Sequence, residues 1–144
     1  MEDAQISHVY SEQVAVKRLL WAAPLVAVSA AAANAAVYFV ASVLGMMSRD
    51  FVVQGSGPLT LAPVVFSSLV GAVGAAVIFA IVALLARRPL RTFRIVAAVG
   101  LVLSFAAPLT IPEAPLSMIL VLELMHVVAA VIIVGILTTL ARAK

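Results

Sequence analysis

Four long apolar runs separated by short polar segments dominate the chain. They cover about residues 19–47, 64–86, 93–109 and 116–140, and the first run contains no charged residue. A helix needs roughly 20 apolar residues to cross the hydrocarbon of a bilayer, so each run has about the required length. We therefore predict an all-α integral membrane protein, a four-helix bundle with up-down topology, in which residues 17–144 form a single transmembrane domain.

Residues that end or prevent helices lie between these runs. Residues 48–63 contain a flexible Gly-Ser-Gly-Pro sequence, which is typical of a loop. The second run ends at Arg87-Arg88-Pro89, because a residue before proline is biased away from helical geometry. Three prolines within residues 108–115 predict a stiff turn before the last run. Residues 1–16 form a polar N-terminal tail, either a helix along the lipid headgroups or a mobile terminus.

The composition supports this class of protein and excludes others. Hydrophobic residues make up 65% of the chain and charged residues 10%, and the mean hydropathy is +1.25, which rules out a water-soluble domain. The chain has no cysteine, so disulfides, iron–sulfur clusters and thiolate zinc sites are excluded. The net charge of +3 is a small excess, and we expect no nucleic-acid partner.

The positive charges are unevenly divided between the two ends of the predicted spans. One side carries Arg49 alone, whereas the other carries Lys17, Arg18, Arg87, Arg88, Arg91, Arg94, Arg142 and Lys144. Cytoplasmic loops of membrane proteins are enriched in Lys and Arg. This distribution predicts a multi-pass protein of the cytoplasmic, bacterial inner membrane with both termini in the cytoplasm.

Four of these arginines, Arg87, Arg88, Arg91 and Arg94, lie close together between the second and third runs, with Phe93 among them. Their effect on membrane topology is enough to explain the charges. The alternative is that they bind anionic lipid headgroups or an acidic partner subunit.

Small residues recur at helical spacing on the predicted spans. In the second span Ser67, Gly71 and Ala75 lie four residues apart with Gly74 beside them, and the first span has a comparable series of alanines. In lipid, helices associate through close backbone contact, which small residues permit. We interpret these residues as a helix-packing face within the bundle; the alternative is a face for dimerisation.

The most distinctive sequence feature is Glu123-Leu124-Met125-His126 within the fourth span. A spacing of three places Glu123 and His126 on one helical face, where they can hydrogen-bond each other. A charged group at this depth costs on the order of 2.5–3.5 kcal/mol, so the pair should face protein. Asn34, near the middle of the first span, is a third polar residue that could join them.

Two roles for this polar group follow from the residues. As a functional site, Glu123 would titrate, with His126 and Asn34 as its partners in a proton or ion relay. As a structural site, Glu123 would fix the register of the bundle through a bond to Asn34 or to one of three serines, Ser67, Ser68 or Ser104.

Cofactor and catalytic motifs are sparse. His126 alone could ligate a haem or chlorophyll-type macrocycle, for which one imidazole suffices. Glu-x-x-His is also half of a di-iron site, but no other span supplies the remaining ligands, and we expect no metal site. Neither His-Glu-x-x-His nor Gly-x-Ser-x-Gly occurs in the chain. We predict a non-enzymatic protein that needs no cofactor.

Four short segments carry a family resemblance: Gly57-Pro58-Leu59, Arg91-Thr92-Phe93-Arg94, Pro108-Leu109 and Leu124-Met125-His126. On these segments, and over roughly residues 18–140, the chain resembles a family of bacterial four-span membrane proteins of unknown function. The resemblance implies a four-helix membrane bundle and implies no activity.

Taken together, a short chain with almost no extramembrane part and no catalytic motif predicts an accessory or structural subunit of a larger membrane complex. The expected partners are the lipid bilayer and either other membrane subunits or further copies of the chain. The alternatives are a small oligomeric proton- or ion-coupled transporter or channel that uses Glu123 and His126, and a haem- or pigment-binding protein that uses His126.

Overall fold

A computed structural model describes residues 16–47, 52–53 and 57–141. Within this part of the chain, four helices are long and apolar enough to cross a membrane, which confirms the all-α, four-span prediction. Residues 1–15 of the predicted tail, Arg49, Arg142 and Lys144 lie outside the described residues. In chain order the elements are α1 (Val16–Val43), β1 (Val52–Val53), β2 (Gly57–Pro58), α2 (Leu61–Leu85), α3 (Pro89–Ser104), α4 (Ala106–Leu109) and α5 (Leu116–Leu140).

The first helix ends at Val43 and not at the predicted Met47. Gly45 has a φ of 70°, in the left-handed region that glycine adopts without strain. Its N–H donates to the carbonyl of Ser42 at 3.2 Å, and the next N–H donates to Ala41 at 2.9 Å. These two bonds form a Schellman motif, which closes the helix before the apolar run is finished.

The third span consists of two helical pieces, α3 and the one-turn α4, which together cover Pro89–Leu109. It begins four residues before the predicted position because Pro89, with its fixed φ, suits the first position of a helix. The first piece ends at Ser104, four residues before Pro108. The ring of Pro108 would clash with the Ser104 carbonyl, and Pro108 has no N–H to bond it.

The loop after α1 is partly ordered by backbone pairing. β1 and β2 are antiparallel, with Val52 opposite Pro58 and Val53 opposite Gly57. α2 begins at Leu61, three residues before the predicted start. The bounds of α5 coincide with those predicted from the last apolar run.

α1 is the helix against which the bundle packs. It lies against both α2 and α5, whereas α3 packs less extensively against α2 and α5, and no described Cα atom of α3 lies within 8 Å of a Cα atom of α1. The contact between α1 and α2 uses small side chains, since Ala27, Ala30, Ala72 and Ala76 are buried in one cluster. Small residues let two helix backbones approach closely.

The described basic residues lie at one end of the bundle, here called the basic end. The start of α1, the end of α2, the start of α3 and the end of α5 meet there, because Leu19, Phe79, Phe93 and Leu137 belong to one buried cluster. The same end therefore carries Lys17, Arg18, Arg87, Arg88, Arg91 and Arg94. A second cluster lies toward the opposite end and is formed by α1, α2, α5 and the turn after α1: Ala41, Met47, Val64, Met118, Val121 and Met125.

Candidate functional site

A hydrogen bond between α1 and α2 lies within the spans. Asn34 of α1 is only 5% exposed, and its Nδ2 donates to Ser68 Oγ of α2 at 2.9 Å. Ser68 is also buried, and its hydroxyl donates to the carbonyl of Val64 in its own helix at 2.8 Å. Interhelical bonds of this kind stabilise membrane bundles by about 0.6 kcal/mol on average.

The side chain of Asn34 is only half satisfied. Its Oδ1 is buried and has no hydrogen-bond partner among the described residues. Ser68 cannot supply a donor, because a serine hydroxyl carries one hydrogen and that of Ser68 is bonded to Val64. An unpaired buried amide oxygen costs about 1–3 kcal/mol. Asn34 therefore keeps an unused acceptor that is enclosed within the bundle.

His126 is half-buried on α5, and one of its ring nitrogens is bonded to its own helix. Its Nδ1 lies 2.7 Å from the carbonyl oxygen of Leu122. Because a carbonyl oxygen can only accept, Nδ1 carries the hydrogen, and in the neutral ring Nε2 is then an acceptor. Nε2 is accordingly the atom through which His126 could bind a ligand or a macrocycle metal.

Glu123 is half-buried on α5 and is not bonded to His126. Its Oε2 is buried without a hydrogen-bond partner in the described chain. The three serines that sequence reasoning offered to it, Ser67, Ser68 and Ser104, donate instead to backbone carbonyls of their own helices. Neither the predicted Glu123–His126 bond nor the predicted link to Asn34 is formed here, because the donors of His126 and Asn34 are used elsewhere.

A cleft of about 630 Å³ lies between α2, α3 and α5. Asn34, Ser68 and His126 are among its lining residues, and Glu123 is not. The structure thus brings two of the three predicted polar residues, Asn34 and His126, to one cavity and leaves the third outside it. The cleft lies on the side of α2 and α5 where the backbone of α3 stays more than 8 Å from that of α1.

The cleft is polar toward one end and apolar toward the other. Along α2 its lining extends from Pro63 to Ile78, a length of about 22 Å. Ser68 and Asn34 lie in the part near Pro63, whereas Ile78 and Phe93 line the part near the basic end. A molecule in the cleft would meet hydrogen-bonding groups at one end and hydrocarbon along the rest.

The small residues predicted on α2 line this cleft. A Cβ added to Gly71 or Gly74 would meet no atom within 4 Å. The face that packs into the bundle lies one residue further along the helix, at Val64, Ser68, Ala72, Ala76 and Phe79. Of the residues interpreted as a packing face, Ser67, Gly71 and Gly74 are exposed and line the cleft, whereas Ala75 is partly buried against the core cluster. Their role in helix packing stays a prediction.

Sequence reasoning missed the contribution of α3 to the cleft. Ala97, Gly100 and Ser104 line it opposite the small residues of α2. These three residues follow one another at helical spacing, so the same search for small residues that found Gly71 could have found them.

Residues 14–143 match a protein family described as a family of unknown function (DUF6069). The chain belongs to this family. The match includes all the helices and polar residues described above, and it confirms the resemblance to a family without an assigned activity. No curated protein and no solved structure matches the chain.

The four arginines within residues 87–94 lie apart from the cleft. Arg87, Arg88, Arg91 and Arg94 are all exposed at the basic end, and none of them lines the cleft. Across the described parts of the chain, no three His, Asp or Glu side chains come together as a metal site would require. The polar residues singled out from the sequence within the spans are therefore Asn34, the serines, His126 and Glu123.

Proposed function

We propose that the protein is a small, non-enzymatic subunit of a membrane complex and that Glu123 binds its partner. The observation that supports this function is the buried Oε2 of Glu123, which has no hydrogen-bond partner in the described chain. Glu123 is the eighth residue of α5, about 10 Å inside the helix end. A carboxyl group at that depth is costly without a hydrogen-bond partner. Glu123 is only partly buried, so a hydrogen bond from a neighbouring chain to the accessible part of its carboxyl group, and not to the buried Oε2, would stabilise the assembly.

The surface beside Glu123 suits a neighbouring helix. Leu120 and Val127, three residues before and four residues after Glu123, are exposed, and so is the adjacent Leu124. A helix lying on this face of α5 would cover these side chains and the carboxyl together. Polar side chains such as Ser, Thr, Asn or His are the usual bonding partners between membrane helices, and a basic side chain would pair with the ionised form.

Purification of the full chain in a mild detergent tests this function. We expect a stoichiometric complex with another membrane protein, which dissociates when Glu123→Leu removes the hydrogen-bonding group. Glu123→Gln should weaken the complex less, since an amide still donates and accepts. The matched control is Glu113→Gln, an exposed carboxyl in the turn before α5. A monomer without a co-purifying protein, or a complex indifferent to Glu123→Leu, contradicts the proposal.

The proposed orientation places the basic end in the cytoplasm of a cell whose inner membrane holds the protein. The described Lys and Arg residues lie at the basic end, and the cytoplasmic loops of membrane proteins are enriched in these residues, which supports this orientation. Because the natural chain has no cysteine, single-cysteine variants give a clean test. A membrane-impermeant thiol reagent added outside the cell should label Glu113→Cys and spare Arg88→Cys. The reverse pattern contradicts this orientation.

The second candidate is a proton- or ion-coupled transporter, and two unpaired oxygens within the spans favour it: Glu123 Oε2 and Asn34 Oδ1. Unpaired polar atoms at membrane depth are typical of ion pathways. In liposomes with a pH-sensitive dye, this candidate requires pH-dependent flux that Glu123→Gln abolishes. Flux that is absent, or that persists in the variant, excludes it.

A further inference from the structure

We propose that the outer surface of α3 binds a phospholipid whose headgroup carries a net negative charge. Arg94 binds the phosphate, and an acyl chain lies along an exposed row of apolar side chains that begins beside Arg94. The site is separate from the face proposed to bind a partner, because Glu123 lies on α5. The two proposals can therefore fail independently.

The third span has the most surface available to lipid. Among the four spans of the described chain, its buried share is the smallest. Arg94, Ala98 and Val102 follow one another at intervals of four residues, and all three are exposed. Ile95 is also exposed and lies three residues before Ala98. Residues three and four apart are neighbours on a helix, so these four side chains form one outer row, here called the α3 row.

The α3 row matches a phospholipid in both length and polarity. From Arg94 to Val102 the helix rises about 12 Å, and one leaflet of a 30 Å hydrocarbon layer is about 15 Å deep. The row carries a positive charge at one end and apolar side chains along the rest, and a phospholipid carries a phosphate above hydrocarbon. A water-soluble acidic protein would cover the arginine and leave the apolar part of the row uncovered.

The depth of Arg94 corresponds to the headgroup region. α1 and α3 both begin at the basic end, and Trp21 and Arg94 are the sixth residues of these two helices. Trp21 is 83% exposed, and exposed tryptophans of membrane helices concentrate at the membrane–water interface. Arg94 therefore begins near the level of the interface, and its long side chain can extend to the phosphates while its stem stays in hydrocarbon.

The charges at the basic end favour an anionic headgroup over a zwitterionic one. The described Lys and Arg residues lie at this end, whereas the described acidic residues, Glu113 and Glu123, lie toward the opposite end. A choline headgroup would bring its own cation among these side chains, and a phosphatidylglycerol headgroup would not. A guanidinium binds phosphate through two parallel hydrogen bonds, so Arg94 supplies geometry as well as charge. Membrane topology explains the sign of the charge at this end but not an arginine that heads an exposed apolar row.

Fluorescence quenching of the full chain in bilayers tests the proposal. Trp21 is the one tryptophan of the sequence, so Trp21→Phe combined with Val102→Trp places a single fluorophore on the α3 row. Phospholipids with brominated acyl chains quench a tryptophan that they contact. We expect brominated phosphatidylglycerol to bind beside this fluorophore about two- to fivefold more tightly than brominated phosphatidylcholine, the effect of one partly exposed ion pair. Ile95→Trp, at the other end of the apolar row, should report the same preference.

Three further variants in this background locate the headgroup. Arg94→Gln should remove the preference for phosphatidylglycerol, and Arg94→Lys, which keeps the charge without the paired hydrogen bonds, should retain part of it. The matched control is Lys17→Gln, which removes one charge from an exposed residue of α1 at the same end and should preserve the preference. Equal binding of the two lipids overturns the proposal, as does an equal loss in Arg94→Gln and Lys17→Gln, which would reflect net charge alone. Absence of quenching by both lipids also contradicts it, because protein would then cover the row.

Discussion

The two ends of the bundle are built differently. At the basic end all four spans meet, and the rings of Phe79 and Phe93 stack with centroids 4.4 Å apart and planes 26° apart. Toward the opposite end the buried cluster draws on α1, α2 and α5, and α3 contributes no residue to it. The cleft lies beside α3, between it and α2 and α5.

The residues that stabilise the bundle and the residues that leave a cleft open lie in different parts of it. In lipid, apolar burial does not drive helices together, so tight side-chain packing has to do it. The basic end has such packing, in two phenylalanine rings with at most 1% exposure. The cleft instead leaves the space between α2, α3 and α5 incompletely packed. Substitutions at the two ends should therefore have different consequences.

The largest effect is expected at the contact between α1 and α2. Ala72 is completely buried, so Ala72→Leu forces three additional carbons into a filled space. We expect a loss of about 3 kcal/mol in the free energy of unfolding, measured by titration with a denaturing detergent. Val73→Leu, at an exposed neighbouring position, is the control and should change little. A tolerated Ala72→Leu would mean that α1 and α2 are not in close contact.

The ring stack at the basic end should rank second. Phe79→Ala leaves a cavity against Phe93, and we expect a loss of about 2 kcal/mol in the same titration. This is less than the 3–5 kcal/mol found in water-soluble cores, because the separated helices would keep the ring in lipid. Phe66→Ala, which removes a lipid-exposed ring from the same helix, should cost almost nothing. If Phe79→Ala and Phe66→Ala lower the free energy of unfolding equally, the basic end is packed no more tightly than the lipid-exposed surface of α2.

The Asn34–Ser68 bond should have a smaller effect. Ser68→Ala leaves both polar atoms of Asn34 unpaired and should cost about 1 kcal/mol. Combining it with Asn34→Leu removes both members of the pair, and an apolar replacement is then nearly neutral. The double variant should therefore be more stable than Ser68→Ala alone. If the two substitutions lower the free energy of unfolding additively, then Ser68→Ala does not leave Asn34 unsatisfied.

The smallest effect is expected at the cleft itself. Gly71→Leu adds a side chain where a Cβ meets no atom, and leucine has the higher helix propensity. The expected result is unchanged stability or a gain of up to about 1 kcal/mol. Since Gly71 and Ala72 are adjacent, their opposite responses would distinguish the cleft from the packed face directly. A large loss of stability in Gly71→Leu would show that Gly71 lies on a packing face, as its sequence spacing predicts.

The spans were predictable because the bilayer imposes a length on apolar runs, and Pro89, Pro108 and Pro115 mark their ends in the sequence. The end of α1 at Val43 was not, since the left-handed Gly45 lies inside an apolar run, and the proline of that run, Pro24, lies within α1 and not at its end. That ending depends on backbone bonds rather than on hydropathy.

The packing face of α2 could not be read from its hydropathy. In a water-soluble helix the polar side faces solvent, but lipid and protein interior are both apolar here. Ser67 and Ser68 are neighbours in the sequence, yet Ser68 alone faces Asn34. The polar residues Asn34, His126 and Glu123 were identifiable by type, whereas the carbonyl that His126 binds is visible only in the structure.

The short third span relates the cleft to the thickness of the membrane. α3 and α4 together have 21 residues, about 31 Å, whereas α2 and α5, the other walls of the cleft, have 25 residues each, about 37 Å. A hydrocarbon layer of about 30 Å accommodates the third span upright, but the longer helices must lean or extend into the headgroups. Helices that lean by different angles diverge along their length. A thinner bilayer should therefore widen the cleft by increasing the tilt of its longer walls, and a thicker one should narrow it.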